Sequence, residues 1–202
     1  VDRGALVTFE GHAASNRRAA SSRVWCLDPA NGSVRWNVDL DQIADREDLA
    51  GLFPVGTPLL LADTVVVAAR KPTQRLEQVD WMIGLSRDDG SLRWATTIAG
   101  APGGRGIYGR KQAGIRADGD AVAVSTPLGA IARVRASDGA ILWLRRSLVP
   151  FAESRAANTP WEYAGPITAG DRIIAIAPDD ASVVALDRMT GQLREERPIG
   201  PG

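Results

Sequence analysis

Residues that could act as nucleophiles, bases or soft metal ligands are scarce in this sequence. The 202 residues include one cysteine, Cys26, and one histidine, His12. A serine or cysteine nucleophile is usually activated by a histidine base, and a structural zinc ion needs three or four ligands. His12 lies in a stretch of small residues that is typical of an exposed loop. The composition therefore predicts no catalytic residue, no disulfide and no metal site.

The charge and hydrophobicity of the chain exclude further classes of protein. There are 24 basic and 24 acidic residues, which gives a net charge of zero, and 45% of the residues are apolar. This balance is typical of a soluble globular protein. Without a positive field there is no general attraction to phosphate backbones, so no nucleic-acid partner is expected. No run of apolar residues approaches the roughly 18 that a membrane span needs, so no membrane-spanning segment is expected.

The residues best suited to bind a ligand are aromatic and charged side chains in two long connections. Aromatic rings beside arginine are typical of recognition surfaces. The alternative is that these side chains are scattered and solvated. The candidate binding face consists of Arg105, Tyr108, Arg110, Lys111, Trp161, Glu162 and Tyr163.

Other connections carry charge of one sign. One connection is acidic, because it contains Asp39, Asp41, Asp45, Glu47 and Asp48. Residues 41–52 could form a short helix capped by Asp41. Two further connections are basic, through Arg17, Arg18, Arg23, Arg70, Lys71 and Arg75. The glycine-rich residues 100–106 lack the Lys-Ser/Thr of a phosphate-binding loop, so a plain flexible loop is expected there.

The elements that carry these connections are predicted by an internal repeat. One pattern aligns without gaps at residues 24–36, 82–94, 131–143 and 183–195. In each copy alternating apolar residues flank a turn that ends in glycine, namely Gly32, Gly90, Gly139 and Gly191. Asn-Gly and Asp-Gly between such runs indicate a β-hairpin, because glycine readily adopts the positive φ that the turn requires.

A second hairpin precedes three of these four copies. Apolar runs flank a tight Asp/Gly turn at residues 58–68, 114–124 and 165–176. Each repeat therefore contains four short antiparallel strands, A to D, which form a blade of a β-propeller. The predicted fold is all-β, with four blades at residues 1–38, 56–98, 113–147 and 165–199, the first lacking strand A.

The repeat also resembles a known family. The pattern is seen best at Cys26-Leu27-Asp28 through Trp36 and at Ala185-Leu186-Asp187 through Gly191. It is similar to the tryptophan-docking repeat of pyrroloquinoline quinone (PQQ)-type propellers. The resemblance implies that Trp36, Trp94 and Trp143 each cover the glycine turn of a neighbouring blade. Glu195 occupies the equivalent position in the fourth repeat, which departs from the family pattern.

The strand count predicts an incomplete ring. Propellers contain about four to eight blades and usually complete one blade from both chain ends. Open blades would leave an apolar face and strand edges exposed, which natural sheets avoid. We therefore expect a segment of a seven- or eight-bladed PQQ-like propeller, whose partner is the rest of the ring or another protein.

The resemblance leaves three functions open. The first is a non-catalytic protein-binding or scaffold platform without a cofactor. The second is part of a PQQ- and calcium-dependent dehydrogenase, although the single Cys26 excludes the vicinal cysteine pair that these enzymes often carry. The third is a carbohydrate- or polymer-binding propeller. The resemblance implies a periplasmic or other extracytoplasmic location, and the first function is the one expected, since a fold alone does not determine function.

Overall fold

The fold consists of antiparallel β-sheets. A computed structural model describes residues 4–11, 22–45, 47–72, 77–102, 112–146, 165–177 and 182–199. The prediction of an all-β propeller fold is confirmed. The strands are β1 Leu6–Gly11, β2 Ser22–Leu27, β3 Val34–Asp39, β4 Phe53–Pro54, β5 Leu59–Leu60, β6 Thr64–Pro72, β7 Glu77–Ser86, β8 Leu92–Pro102, β9 Gly114–Asp118, β10 Ala121–Thr126, β11 Ala130–Arg135, β12 Ile141–Arg146, β13 Ile167–Ala169, β14 Arg172–Ile176, β15 Ser182–Asp187 and β16 Leu193–Pro198.

The strands form four sheets, which we call blades 1 to 4 in chain order. Blade 1 contains β1, β2 and β3, while blade 2 contains β7 and β8 together with β6, which pairs with both β4 and β5. Blades 3 and 4 are four-stranded meanders, β9 to β12 and β13 to β16. All pairs of neighbouring strands are antiparallel.

The last hairpin of every blade closes through the same glycine turn. The glycines at residues 32, 90, 139 and 191 have φ between 71° and 77°. Their amides donate to the carbonyl oxygen four residues earlier, at 2.7 to 3.0 Å. A positive φ is easily reached only by glycine, which explains why this residue recurs at each turn.

The first strand of blade 2 differs from the strand expected at residues 58–61, because it is broken into β4 and β5. Pro54 and Pro58 lack the amide hydrogen that a continuous ladder requires. Between them, Gly56 approaches blade 3 so closely that a Cβ atom there would lie 2.3 Å from the Ala113 carbonyl oxygen. The Ala113 amide in turn donates to the Val55 carbonyl at 2.6 Å. The break therefore allows blades 2 and 3 to join through backbone contacts.

The hydrophobic core lies between successive blades. Among the described residues, twelve buried side chains fill the space between blades 1 and 2, fifteen that between blades 2 and 3, and eight that between blades 3 and 4. The alternation of the strands sends successive side chains to opposite faces. In β6, for example, Val65 and Val67 face blade 1, while Val66 and Ala68 face blade 3. Each central blade is thus covered on both faces.

Candidate functional site

The predicted binding face lies outside the described residues. This holds for all seven of its members, Arg105, Tyr108, Arg110, Lys111, Trp161, Glu162 and Tyr163. The structure does show the edge of the blades from which the two connections that contain these residues leave. Strand β8 ends there at Pro102, and strand β12 ends there at Arg146. We call this the loop edge, and the opposite edge, formed by the glycine turns, the turn edge.

The connection from blade 1 to blade 2 folds back onto the loop edge. It contains two 3-10 helices, Leu40–Asp45 and Glu47–Leu49, instead of the single helix expected over residues 41–52. Four of its apolar side chains are buried against blades 1 and 2, namely Leu40, Ile43, Leu49 and Leu52. Asp41 accepts a hydrogen bond from the Gly51 amide rather than capping a longer helix.

The acidic connection is joined to blade 2 through Lys71, which lies on β6, and Arg23 lies on β2, while Arg17, Arg18 and Arg75 are outside the described residues. Lys71 Nζ donates to the carbonyl oxygens of Glu47, at 3.2 Å, and Asp48, at 2.9 Å. Ser22 Oγ donates to Asp39, and the Asp41 amide donates to Ser22 Oγ at 3.1 Å. The connection from blade 1 to blade 2 is therefore hydrogen-bonded to the ends of β2 and β6.

Arg70, expected in a basic loop, is instead completely buried within blade 2. It lies on β6 opposite Asp80 on β7, and its Nε donates to Asp80 Oδ1 at 2.6 Å while a terminal nitrogen donates to Oδ2 at 3.2 Å. Burial raises the pKa of the Asp80 carboxyl, and the Arg70 charge opposes this effect. The register of the β6–β7 hairpin could have indicated this pairing from the sequence.

Each glycine turn of blades 2 to 4 is covered by a tryptophan from the preceding blade. The indole nitrogens of Trp36, Trp94 and Trp143 donate to the carbonyl oxygens of Arg87, Ala136 and Arg188, at 2.8, 2.9 and 2.9 Å. In every case the acceptor lies three residues before the turn glycine. A Cβ atom built on Gly90, Gly139 or Gly191 would lie 2.5 to 2.7 Å from the nearest ring atom. The rings thus occupy space that only glycine leaves free.

A charged cluster between blades 3 and 4 was not expected from the sequence. Asp118, at the end of β9, is completely buried. Arg133 Nε donates to its Oδ2 at 2.6 Å, Thr168 Oγ1 donates to its Oδ1 at 3.0 Å, and Arg188 Nε lies 2.7 Å from Oδ1. These residues come from three strands and one turn of two blades, so no local pattern in the sequence connects them.

The first strands of blades 2 to 4 converge on a groove of about 350 Å³. Its lining consists of Thr57, Pro58, Leu59, Gln112, Ala113, Gly114, Ile115, Arg116 and Gly165. Calcium is held by six to eight oxygen atoms, usually including carboxylates. This lining offers a hydroxyl, an amide and a guanidinium but no carboxylate side chain as a calcium ligand. Among the described residues no group of three metal-ligating side chains occurs.

Comparison with known proteins identifies the family. A family model described as outer membrane protein assembly factor BamB matches residues 80–194, which is more than half of the chain. No curated protein matches the sequence. Within the described part of the chain, no helix has the length and apolar character needed to cross a bilayer.

Solved structures share the fold at low sequence identity. BamB from Moraxella catarrhalis is 18% identical with a TM-score of 0.58, and the match covers 98% of this chain and 52% of that one. A europium-containing methanol dehydrogenase is 16% identical with a TM-score of 0.59, covering 90% and 39%. The quinohemoprotein alcohol dehydrogenase of Comamonas testosteroni is 17% identical with a TM-score of 0.57, covering 91% and 33%.

These matches agree on the architecture and on the type of repeat. The chain spans about half the length of the BamB structure and between a third and two fifths of the two dehydrogenases. The solved structures support the propeller fold predicted for this chain from the repeat. The chain belongs to the PQQ-like propeller repeat family whose model is described as outer membrane protein assembly factor BamB.

Proposed function

We propose that this chain is part of a non-catalytic propeller that binds other proteins at its loop edge. The observation that carries the proposal is that the loop edge of blades 1 and 2 is held in place by its own contacts. The 3-10 helices Leu40–Asp45 and Glu47–Leu49 pack into the core, and Lys71 joins the second of them to blade 2. The Arg70–Asp80 ion pair lies in the β6–β7 hairpin beside Lys71. A preordered surface loses less conformational entropy on binding, which favours its use for recognition.

The two edges differ in what they offer a partner. The turn edge consists of short turns that are closed by their own hydrogen bonds. Every long connection leaves from the loop edge, and long connections commonly carry binding residues. We place the partner site on the loop edge, with Arg105, Tyr108, Arg110, Lys111, Trp161, Glu162 and Tyr163 as the contacting side chains.

The class of partner follows from the family. The matching model is described as an outer membrane protein assembly factor. We infer that the partners are proteins of outer-membrane assembly and that the chain works outside the inner membrane, in the periplasm. The groove between the first strands offers no carboxylate to hold calcium, which supports the binding function.

Site-specific photo-crosslinking in cells tests this proposal. A photoreactive amino acid placed at Tyr108 or Trp161 is expected to give discrete protein adducts, while the same group at Met189 on the turn edge, 68% exposed, gives none. Combined Arg105→Ala and Tyr108→Ala changes should weaken the Trp161 adduct, and Met189→Ala should not. Equal adducts from both edges, or adducts to glycan in place of protein, would refute the proposal.

A second measurement addresses the enzymatic alternative. Purified protein is mixed with PQQ and Ca²⁺, and its absorbance and its reduction of a dye with alcohol or sugar substrates are followed. No change is expected. Dye reduction that depends on both PQQ and Ca²⁺ would overturn the non-catalytic assignment.

A further inference from the structure

Arg116 is an exposed arginine that lines the groove between the first strands of blades 2, 3 and 4. Most arginines of the described chain bind a carboxylate, a carbonyl oxygen or an aromatic ring. Among the described residues, only Arg116 and Arg145 have no such contact. Arg145 is exposed on β12, away from the groove lining. Arg116 is therefore the unpaired arginine that is placed to bind a ligand.

The one carboxylate on the same strand does not neutralise this charge. Alternation places Arg116 and Asp118 on one face of β9. Both oxygens of Asp118 are already engaged, Oδ2 by Arg133 and Oδ1 by Thr168 and Arg188. The first strand of blade 4, β13, contains no charged residue. The guanidinium of Arg116 thus leaves an unbalanced positive charge in the groove.

The rest of the groove supplies hydrogen-bond donors on a fixed backbone. Thr57 offers a hydroxyl and Gln112 a side-chain amide, and both residues are exposed. The first strands of blades 3 and 4 meet closely, since a Cβ atom on Gly165 would lie 3.4 Å from the backbone of Ile115. Arginine binds a carboxylate through two parallel hydrogen bonds, and hydroxyl and amide groups can donate to the same anion. The groove therefore fits a carboxylate better than a cation or an apolar group.

We propose that this groove binds an acidic side chain of a peptide segment of the protein partner. Arg116 pairs with the carboxylate, and Thr57 and Gln112 donate to it. Strand β9 begins at Gly114, after the connection that leaves the loop edge at Pro102, so the groove opens at that edge. The inference rests on the proposed function, because it names the chemistry that the loop-edge partner presents. Its volume of about 350 Å³ is that of a small ligand pocket.

Peptide titration followed by nuclear magnetic resonance tests the ligand chemistry. A blocked Ala-Glu-Ala peptide added to the full 202-residue chain is expected to give saturable shifts at the amides of Gly114, Ile115 and Gly165, and added salt should weaken them. The blocked Ala-Gln-Ala peptide lacks the charge and should bind at least about tenfold more weakly. Equal binding of the two peptides would overturn the proposal. Equally tight binding of inorganic phosphate would show a general anion site, and the proposed ligand would be wrong.

A matched pair of variants tests the residue. Arg116→Gln should weaken binding of the Ala-Glu-Ala peptide at least about tenfold, and Arg116→Lys should weaken it less, because lysine keeps the charge without the paired hydrogen bonds. Arg145→Gln removes the other arginine without a contact in the described chain and should leave the affinity unchanged. Both glutamine variants should keep the thermal midpoint of the unmodified chain, since each replaces an exposed side chain.

The outcomes separate this inference from the proposed function. Unchanged peptide affinity in Arg116→Gln, or an equal loss in Arg145→Gln, refutes the groove as the carboxylate site. Photo-crosslinked adducts at Tyr108 and Trp161 would still support the loop edge as the partner surface in that case. If those adducts are absent while the Ala-Glu-Ala peptide binds through Arg116, the groove is a carboxylate site and its assignment to the loop-edge partner is wrong.

Discussion

The interface between blades 2 and 3 and that between blades 3 and 4 use the same tryptophan contact but are filled differently. Trp94 lies between two glycines, Gly84 in its own blade and Gly139 in the next. Opposite Trp143, the corresponding position in blade 3 is Arg133, which binds the buried Asp118. The first interface buries fifteen apolar side chains of the described chain and the second buries eight.

This difference shows that the repeat fixes the contact at the turn and leaves the rest of the interface variable. Apolar burial is non-directional and increases with the area removed from water. A buried ion pair contributes little net free energy when complete but is costly to break, because an unpaired charge then stays buried. The two interfaces should therefore respond differently to the loss of a single side chain.

The largest effect is expected from Asp118→Ala. This change removes the buried carboxylate that pairs with Arg133 and Arg188, which should lower the free energy of unfolding by about 3–5 kcal/mol. Chemical denaturation gives the magnitude, and hydrogen exchange should show faster opening of blade 4 than of blade 2. Asp120→Ala is the control, since Asp120 is 82% exposed and lies 3.4 Å from Arg133. Similar losses in both variants would contradict an ionic interface.

Overpacking of the apolar interface should have the next largest effect. A Cβ atom on Gly84 would lie 2.2 Å from Trp94, so Gly84→Ala must displace the ring and should cost about 1–3 kcal/mol. Gly100→Ala, in the same blade, meets its nearest atoms at an ordinary 3.8 Å and serves as the control. Thermal unfolding of both variants gives the comparison, and equal stabilities would show that Trp94 is not tightly held.

Removal of single indole hydrogen bonds should have a smaller effect, with a distinctive pattern of coupling. Trp94→Phe and Trp143→Phe should each cost about 1 kcal/mol, the net value of one hydrogen bond. Arg188 accepts from Trp143 and also pairs with Asp118, so Trp143→Phe should be non-additive with Asp118→Ala. Trp94→Phe should be additive with it. Double-mutant cycles measure both couplings. Additivity in both pairs would show that the Trp143 hydrogen bond is independent of the charged cluster at Asp118.

Acid should weaken the glycine turns of blades 2, 3 and 4 alike, with the smallest effect per residue. Hydrogen bonds from Ser91 lower the pKa of Asp89 to about 2, and the Ala140 amide and Arg135 lower that of Asp138. Arg194 and Thr190 lower the pKa of Asp187. Since these values lie below the ordinary 3.8, the carboxylates favour folding above pH 3.8, and this contribution is lost as the pH falls toward 2.

The acid effect can be followed through the thermal midpoint. In Asp89→Asn the thermal midpoint should fall less steeply between pH 4 and pH 2. Asp138→Asn should have the same effect at the next turn. Asp88→Asn makes the same change of charge at the residue next to Asp89 and serves as the matched control. A slope that is the same in all three variants would mean that the turn carboxylates do not govern acid stability.

The hairpins and the fold could be predicted from the sequence because their signals are local. Glycine turns and alternating apolar residues determine each pair of strands within about a dozen residues. The cluster at Asp118 was missed because its partners meet only when blades stack, and the Arg70–Asp80 pair was missed because β6 continues to Pro72, beyond the apolar run that ends at residue 68. The break at Gly56 was missed for the same reason, since the constraint is the backbone of Ala113 in the next blade. The predicted binding face lies outside the described residues and stays a prediction.

The spacing of the tryptophan contacts has a consequence for how the chain folds during synthesis. The indole bonds of Trp36, Trp94 and Trp143 join residues 51, 42 and 45 positions apart. Each contact thus closes a loop of only about one repeat, and the entropy of closure depends on that length and not on the size of the whole ring. Each blade can be fixed to its predecessor as it leaves the ribosome, and folding can advance one repeat at a time, as in other arrays with nearest-neighbour interfaces.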